Sequence, residues 1–123
     1  MLSLLLFFFY LTATGFLRRP QFEVKPKDRV AVLGSEVVLE CIANGFPKPR
    51  VTWLKNGSPV LLGKDYSILG ESNLEIKSIT VAHAGNYTCQ AMANGRKEEA
   101  SAKLEVHCKF LIMAKQYGTR LCF

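Results

Sequence analysis

The chain is expected to be all-β, folded as a two-sheet sandwich, on the strength of three features of its sequence. Short apolar-alternating segments recur along it, separated by Gly, Pro and Asn-Gly turn signals, and no stretch has a helical period. A cysteine closes one such segment, Glu36-Val37-Val38-Leu39-Glu40-Cys41, and Trp53 stands in the middle of the next, twelve residues on. A later segment, Gly85-Asn86-Tyr87-Thr88-Cys89, sets a tyrosine two residues before a second cysteine.

In chain order, the first strand is Phe22-Glu23-Val24-Lys25. Pro26 breaks it before Arg29-Val30-Ala31-Val32-Leu33, and because proline cannot donate to a ladder, this suits an edge strand that crosses between sheets. Gly34 turns the chain into the segment where Val37, Leu39 and Cys41 share the inward face while Val38, Glu40 and Ile42 point away. Asn44-Gly45-Phe46-Pro47-Lys48-Pro49 reads as a loop from its Gly and Pro content. Val51-Thr52-Trp53-Leu54-Lys55 follows, with Val51 and Trp53 inward, and Asn56-Gly57 then makes a hairpin turn because both residues tolerate positive φ. Short strands are expected at Val60-Leu61-Leu62 and at Tyr66-Ser67-Ile68-Leu69. Leu74-Glu75-Ile76-Lys77 alternates cleanly, with Leu74 and Ile76 buried. A link from Ser78 to Ala84 leads to a strand from Asn86 to Met92. Asn94-Gly95 turns it into the last strand, where Ala102, Leu104 and Val106 alternate with Ser101, Lys103 and Glu105.

With 123 residues, the chain has room for one domain with a single core. Its net charge of +6 invites a nucleic-acid or membrane reading until it is mapped. Between Gln21 and Val106 there are 11 Lys and Arg against 10 Asp and Glu, a net +1, and the other five basic residues lie in the flanks. No nucleic-acid partner is therefore expected. Within the sandwich the basic cluster is Lys48, Arg50 and Lys55, a candidate contact for heparan sulfate or an acidic partner, with an ordinary solvated face as the plainer explanation. Residues 1–15 hold the apolar run Leu2 to Leu11, of secretory h-region length and too short to span a bilayer, with Ala13 and Gly15 spaced for peptidase cleavage. They are expected to be a signal peptide. No Lys or Arg precedes Arg18, so a non-native start is the alternative. Residues 107–123 lose the strand pattern and are left unassigned, as a truncated or alternative end. Cys108 and Cys122 within them could pair with each other, bridge to another chain, or belong to a tail that never folds.

The cysteine, tryptophan and Tyr-x-Cys constellation resembles the immunoglobulin sandwich. The resemblance implies that Cys41 and Cys89 bridge facing sheets, that Trp53 packs against their sulfurs, and that Tyr87 is the tyrosine corner, its hydroxyl bonded back to the chain. More closely, residues 16–106 resemble an intermediate-set (I-set) immunoglobulin domain of neural adhesion and guidance receptors. The segments that carry this are Phe16-Leu17-Arg18-Arg19-Pro20, Gly45-Phe46-Pro47-Lys48-Pro49, Thr52-Trp53-Leu54-Lys55-Asn56-Gly57, Tyr66 to Leu74, and Gly85-Asn86-Tyr87-Thr88-Cys89. The stretch from Tyr66 to Leu74, with the Phe-Leu-x-Arg-Pro opening, looks most like the DCC, neogenin and protogenin subclass. That family implies extracellular, non-enzymatic modules strung in tandem. One departure matters: the family pattern Asp-x-Gly-x-Tyr-x-Cys has His83 where the Asp belongs. The ion pair that this carboxylate makes should then be absent. His83 is expected to be a surface histidine, with a weak pH-sensitive contact as the other reading.

No catalytic constellation is found. The two histidines, His83 and His107, lack the partners of a Ser-His-Asp arrangement, no Cys-x-x-Cys or His-x-x-x-His spacing suggests a metal, and no phosphate loop is present. The chain is therefore expected to be no enzyme and to need no cofactor. Two N-glycosylation sequons are present, at Asn56 and Asn86. Asn86 alternates with inward Tyr87 and should face solvent, whereas Pro59 disfavours Asn56. The expected function is a secreted or extracellular binding module of an adhesion or axon-guidance receptor, recognising a cell-surface or secreted protein, homophilically or not, with Ile42, Leu54 and Phe46 as candidate contacts. The alternative is a structural spacer of an intracellular filament protein, whose cysteines would stay reduced.

Overall fold

The computed structural model describes residues 17–108, 111–114 and 119–122, the last two stretches as backbone. The expected signal peptide at residues 1–15 lies outside the described residues. The strands are β1 (Arg18–Val24), β2 (Arg29–Val32), β3 (Val37–Leu39), β4 (Ile42–Phe46), β5 (Arg50–Lys55), β6 (Ser58–Pro59), β7 (Tyr66–Leu69), β8 (Asn73–Ile76), β9 (Gly85–Ala93), β10 (Arg96–His107), β11 (Leu111–Ala114) and β12 (Thr119–Cys122). One layer is a five-stranded sheet in the order β2-β10-β9-β5-β6. The facing layer is built from two ladders, β1-β4 and β3-β8-β7. This is the two-sheet, all-β sandwich that the alternation predicts.

The crossing at Pro26 is present as expected. β1 pairs antiparallel with β4, and after the break β2 pairs parallel with β10 in the other sheet. Asp28 guides the change of layer by accepting the Lys103 backbone N–H on its Oδ1 at 2.8 Å. Both Asn-Gly turns also form. Asn56 and Gly57 have φ of 49° and 85°, Asn94 and Gly95 of 50° and 72°, and each pair closes a two-residue hairpin whose left-handed conformations match the twist of the flanking strands.

Burial follows the predicted alternation. Leu39, Leu74, Ile76, Ile79, Tyr87, Leu104 and the cysteines Cys41 and Cys89 are almost fully enclosed, with Trp53 beside them. Each large apolar side chain so enclosed stabilises the fold by about 1.5–3 kcal/mol. Between β3 and β4 the ladder to β8 has run out at Leu39–Leu74, and side chains take over its hydrogen bonds. The Cys41 N–H donates to Asn73 Oδ1 at 3.0 Å, and Ser72 Oγ donates to the Cys41 carbonyl. Isolated polar groups at that depth would be costly, and these two residues remove the cost.

Four expectations are corrected. The segment from Asn44 to Phe46 is strand, because β1 reaches back to Arg18 and pairs Arg18 with Phe46 and Gln21 with Asn44. Gly45 suits that close approach: a Cβ on it would stand 3.2 Å from the Arg19 carbonyl oxygen, so the neighbouring strand would have to give by a few tenths of an ångström. Val60 to Leu62 form no strand. Pairing with β5 stops at Pro59, after which Leu61 and Leu62 are exposed. The tail is not without pattern, since β11 and β12 pair antiparallel as a hairpin. Cys108 is disulfide-bonded.

The fourth correction is His83, which is 5 % exposed instead of lying on the surface. It ends a 3₁₀ turn at Val81–His83 and caps it: the Thr80 N–H donates to Nδ1 at 2.9 Å. An Nδ1 that accepts leaves the ring proton on Nε2, which lies 3.5 Å from the Asp65 carboxylate. A contact to a carboxylate therefore exists at this end of the sandwich, with the histidine as its donor.

Candidate recognition surface

The four residues expected to hold the frame converge at the centre of the sandwich. Cys41, between β3 and β4, is bonded to Cys89 on β9, with Cα atoms 6.5 Å apart. Trp53 on β5 is the cross-strand neighbour of Cys89, and its indole Nε1 donates to the Ser72 carbonyl at 2.8 Å. The Tyr87 hydroxyl donates to the His83 carbonyl at 2.6 Å and lies 3.1 Å from the Tyr66 hydroxyl. Burial first, then the Tyr66 hydrogen bond, pushes the Tyr87 phenol well above the ordinary tyrosine range, so it stays a neutral donor. These groups are inward and occupied with one another.

The outward face of the five-stranded sheet carries the largest number of strands among the described sheets. Register places Arg50 beside Met92, Thr52 beside Gln90, and Leu54 beside Thr88. The next strand adds Lys97, Glu99 and Ser101 opposite Met92, Gln90 and Thr88. Side chains link these rows: Thr88 and Ser101 hydroxyls meet at 2.7 Å, Gln90 Nε2 donates to Glu99 Oε1 at 3.0 Å, and Lys97 Nζ lies 3.1 Å from the same carboxylate. The Gln90 amide, and after it Lys97, holds the Glu99 carboxyl below the usual carboxylate range. Toward the other end Lys103, then His107, does the same for Glu105. Next to this polar lattice Met92 is 45 % exposed, and Leu54 is half-buried. The braced rows thus end at an exposed methionine and an outward arginine, residue types enriched at protein interfaces.

The sequence-based contact residues do not gather there. Leu54 is on this face, Ile42 is on β4 in the other layer, and Phe46 ends β4 as strand instead of loop. The basic trio is likewise divided. Lys48 pairs with Glu71 at 3.2 Å, Arg50 points outward at one end of β5, and Lys55 at its other end donates to the Ala82 carbonyl. The two sequon asparagines, 30 residues apart, turn out to be neighbours, with the Asn86 N–H donating to Asn56 Oδ1 at 2.9 Å. That proximity and the Arg50–Met92 pair were missed by sequence reasoning. The outward parity of Met92 was readable, but its partner depends on register. Among the described residues no group of three His, Cys, Asp or Glu is placed to hold a metal ion. No helix among them is long and apolar enough to cross a membrane.

Residues 19–92 match the family model described as immunoglobulin domain. The chain is 38% identical over 97 residues to the netrin receptor DCC of Rattus norvegicus, a match that covers 78% of this chain and 7% of the receptor. Among solved structures it resembles the tandem Ig repeats of Dlar, at TM-score 0.70 and 28% identity over 74% of this chain and 49% of that one. It also resembles the titin M3 domain, at TM-score 0.69 and 26% identity over 73% of this chain and 98% of that one.

Proposed function

Because this chain belongs to the immunoglobulin domain family, we propose that it is a non-enzymatic binding module of an adhesion or axon-guidance receptor, working on the secreted or extracellular side and recognising a protein ligand. The likeness to a netrin receptor over 78% of the chain carries this reading. The Cys41–Cys89 pairing supports it over the second reading, a spacer in an intracellular filament, which the likeness to a titin domain favours. A disulfide of this kind persists in oxidising compartments and is rare in the cytosol. On this reading residues 1–15 act as a cleaved leader. The ligand meets the Arg50, Thr52, Gln90 and Met92 end of the five-stranded sheet, whether it is another protein or a second copy of the chain. Heparan sulfate gains no support from the divided positions of Lys48, Arg50 and Lys55.

The test is binding of a soluble tetramer of this chain to neuronal cells, with purified netrin as the first defined probe because of the relative's name. Saturable binding that falls at least tenfold, about 1.4 kcal/mol, in Gln90→Arg but persists in Glu40→Arg on the opposite layer supports the reading. Saturable binding that is untouched by Gln90→Arg moves the site elsewhere. No saturable binding to any cell or probe contradicts the module itself.

A further inference from the structure

We infer that Asn86 is the N-glycosylated asparagine of this chain and that Asn56, in the second sequon, is left unmodified. The inference rests on the extracellular reading above and takes the preference that the sequence gives Asn86 over Asn56 to a single occupied site, from their surroundings in the fold. The reaction joins the Nδ2 of the acceptor asparagine to C1 of a lipid-pyrophosphate-linked oligosaccharide. One amide proton is lost, the C1–O bond breaks, and the lipid pyrophosphate leaves. The glycan is bulky and solvated, so the domain folds without penalty around it only where the acceptor amide can carry a large substituent outward.

Asn86 meets that condition. It projects from the outward face of β9, opposite Lys103, and is exposed. Its side-chain amide has no hydrogen-bond partner among the described residues, so a sugar on Nδ2 displaces nothing. Asn56 is exposed as well, but its amide is engaged. Its backbone is held at φ 49° by the hairpin turn, and its N–H donates to the Asn86 carbonyl at 2.8 Å. Its Oδ1 accepts from the Asn86 N–H, and its amide lies flat on Gly85: a Cβ built there would be 2.9 Å from both Nδ2 and Oδ1. A sugar on Asn56 Nδ2 would have to fit against Gly85 and would strain the bond that ties the turn to β9. Pro59 adds a local obstacle, because it restricts Ser58 to extended conformations and so limits how its hydroxyl can fold back toward the Asn56 amide during transfer. A glycan on Asn86 would cover the sheet face around Lys103 and leave the Arg50 and Met92 end open, which is the end proposed to meet the ligand.

The experiment is expression of the full chain in a secretory mammalian host, with glycopeptide mapping of protein from medium and lysate before and after glycosidase. Occupied Asn86 and bare Asn56 are expected. Asn86→Gln and Thr88→Ala should each abolish the glycosidase-sensitive mass shift, while Ser58→Ala leaves it unchanged. Thr88→Ala removes the sequon but keeps Asn86, so it separates loss of the acceptor from a folding defect. A glycan on Asn56, or a mass shift lost in Ser58→Ala, overturns the assignment. A secreted, disulfide-bonded chain bare at both sites overturns it while leaving the extracellular reading standing. A retained chain with reduced Cys41 and Cys89 overturns both.

Discussion

Replacing Tyr87 by phenylalanine removes one oxygen from the centre of the molecule and tests how the strand β9 corner is held. The phenol donates to the His83 carbonyl at 2.6 Å within a residue that is itself buried, so the variant leaves that acceptor without its donor and takes a partner from Tyr66. Leaving one buried polar group unsatisfied costs about 1–3 kcal/mol, and the ring itself still packs, so about 2 kcal/mol is expected. For a domain of this size that is a fall in Tm of about 8–16 °C, at about 4–8 °C per kcal/mol. Urea unfolding followed by Trp53 fluorescence measures it. A second arm uses pH. The folded-state pKa of Tyr87 is raised, so its contribution is fully present below the unfolded value of 10.0 and declines as pH rises past it, where the unfolded chain gives up a proton that the native state retains. The wild type should therefore lose stability above about pH 10 more steeply than Tyr87→Phe. A variant within about 0.5 kcal/mol of wild type, or one with the same alkaline slope, would refute the corner's role.

Other perturbations act on different parts of the frame. Replacing Cys41 and Cys89 together by alanine opens a loop of 48 residues and should cost about 4 kcal/mol, read as a lower urea midpoint against the oxidised wild type. Leu74→Ala empties a fully buried site and should cost about 2–5 kcal/mol in the same assay. Gly95→Ala meets no neighbour within 4 Å, so its expected loss of about 1 kcal/mol reports only the strain of a φ of +72°. Lys48→Ala breaks an exposed ion pair with Glu71 and should change stability by less than about 1 kcal/mol at any salt concentration.

The frame was readable because its signals are local. Alternation around Val37, Leu39 and Cys41 or around Leu74 and Ile76 states which face is inward, and an Asn-Gly pair states a turn through its own backbone preference. The misreadings arose where a distant partner decides. Gly45 looks like a loop residue until β1 lies beside it, and then the same lack of a side chain is what lets the backbones approach. Val60 to Leu62 look like a strand, but the neighbouring strand supplies ladder partners only as far as Pro59. His83 looked like surface because it stands where an acid was expected. Its ring packs edge-on against Tyr66, 17 positions away, with centroids 5.5 Å apart, a contact that the local sequence does not state. The proposed recognition face is the least readable, since Arg50 and Met92 are 42 positions apart and meet only through the register of β5 with β9.

The most direct measurement of the central claim is the thiol state of the chain as cells release it. Protein collected from the medium of a secretory mammalian host is alkylated without reductant, and its peptides are mapped for Cys41 and Cys89. An extracellular binding module predicts both cysteines unlabelled and joined in one disulfide-linked peptide pair, in protein recovered from the medium. Chain found only in the lysate, with both cysteines alkylated, would contradict the account and favour the filament spacer.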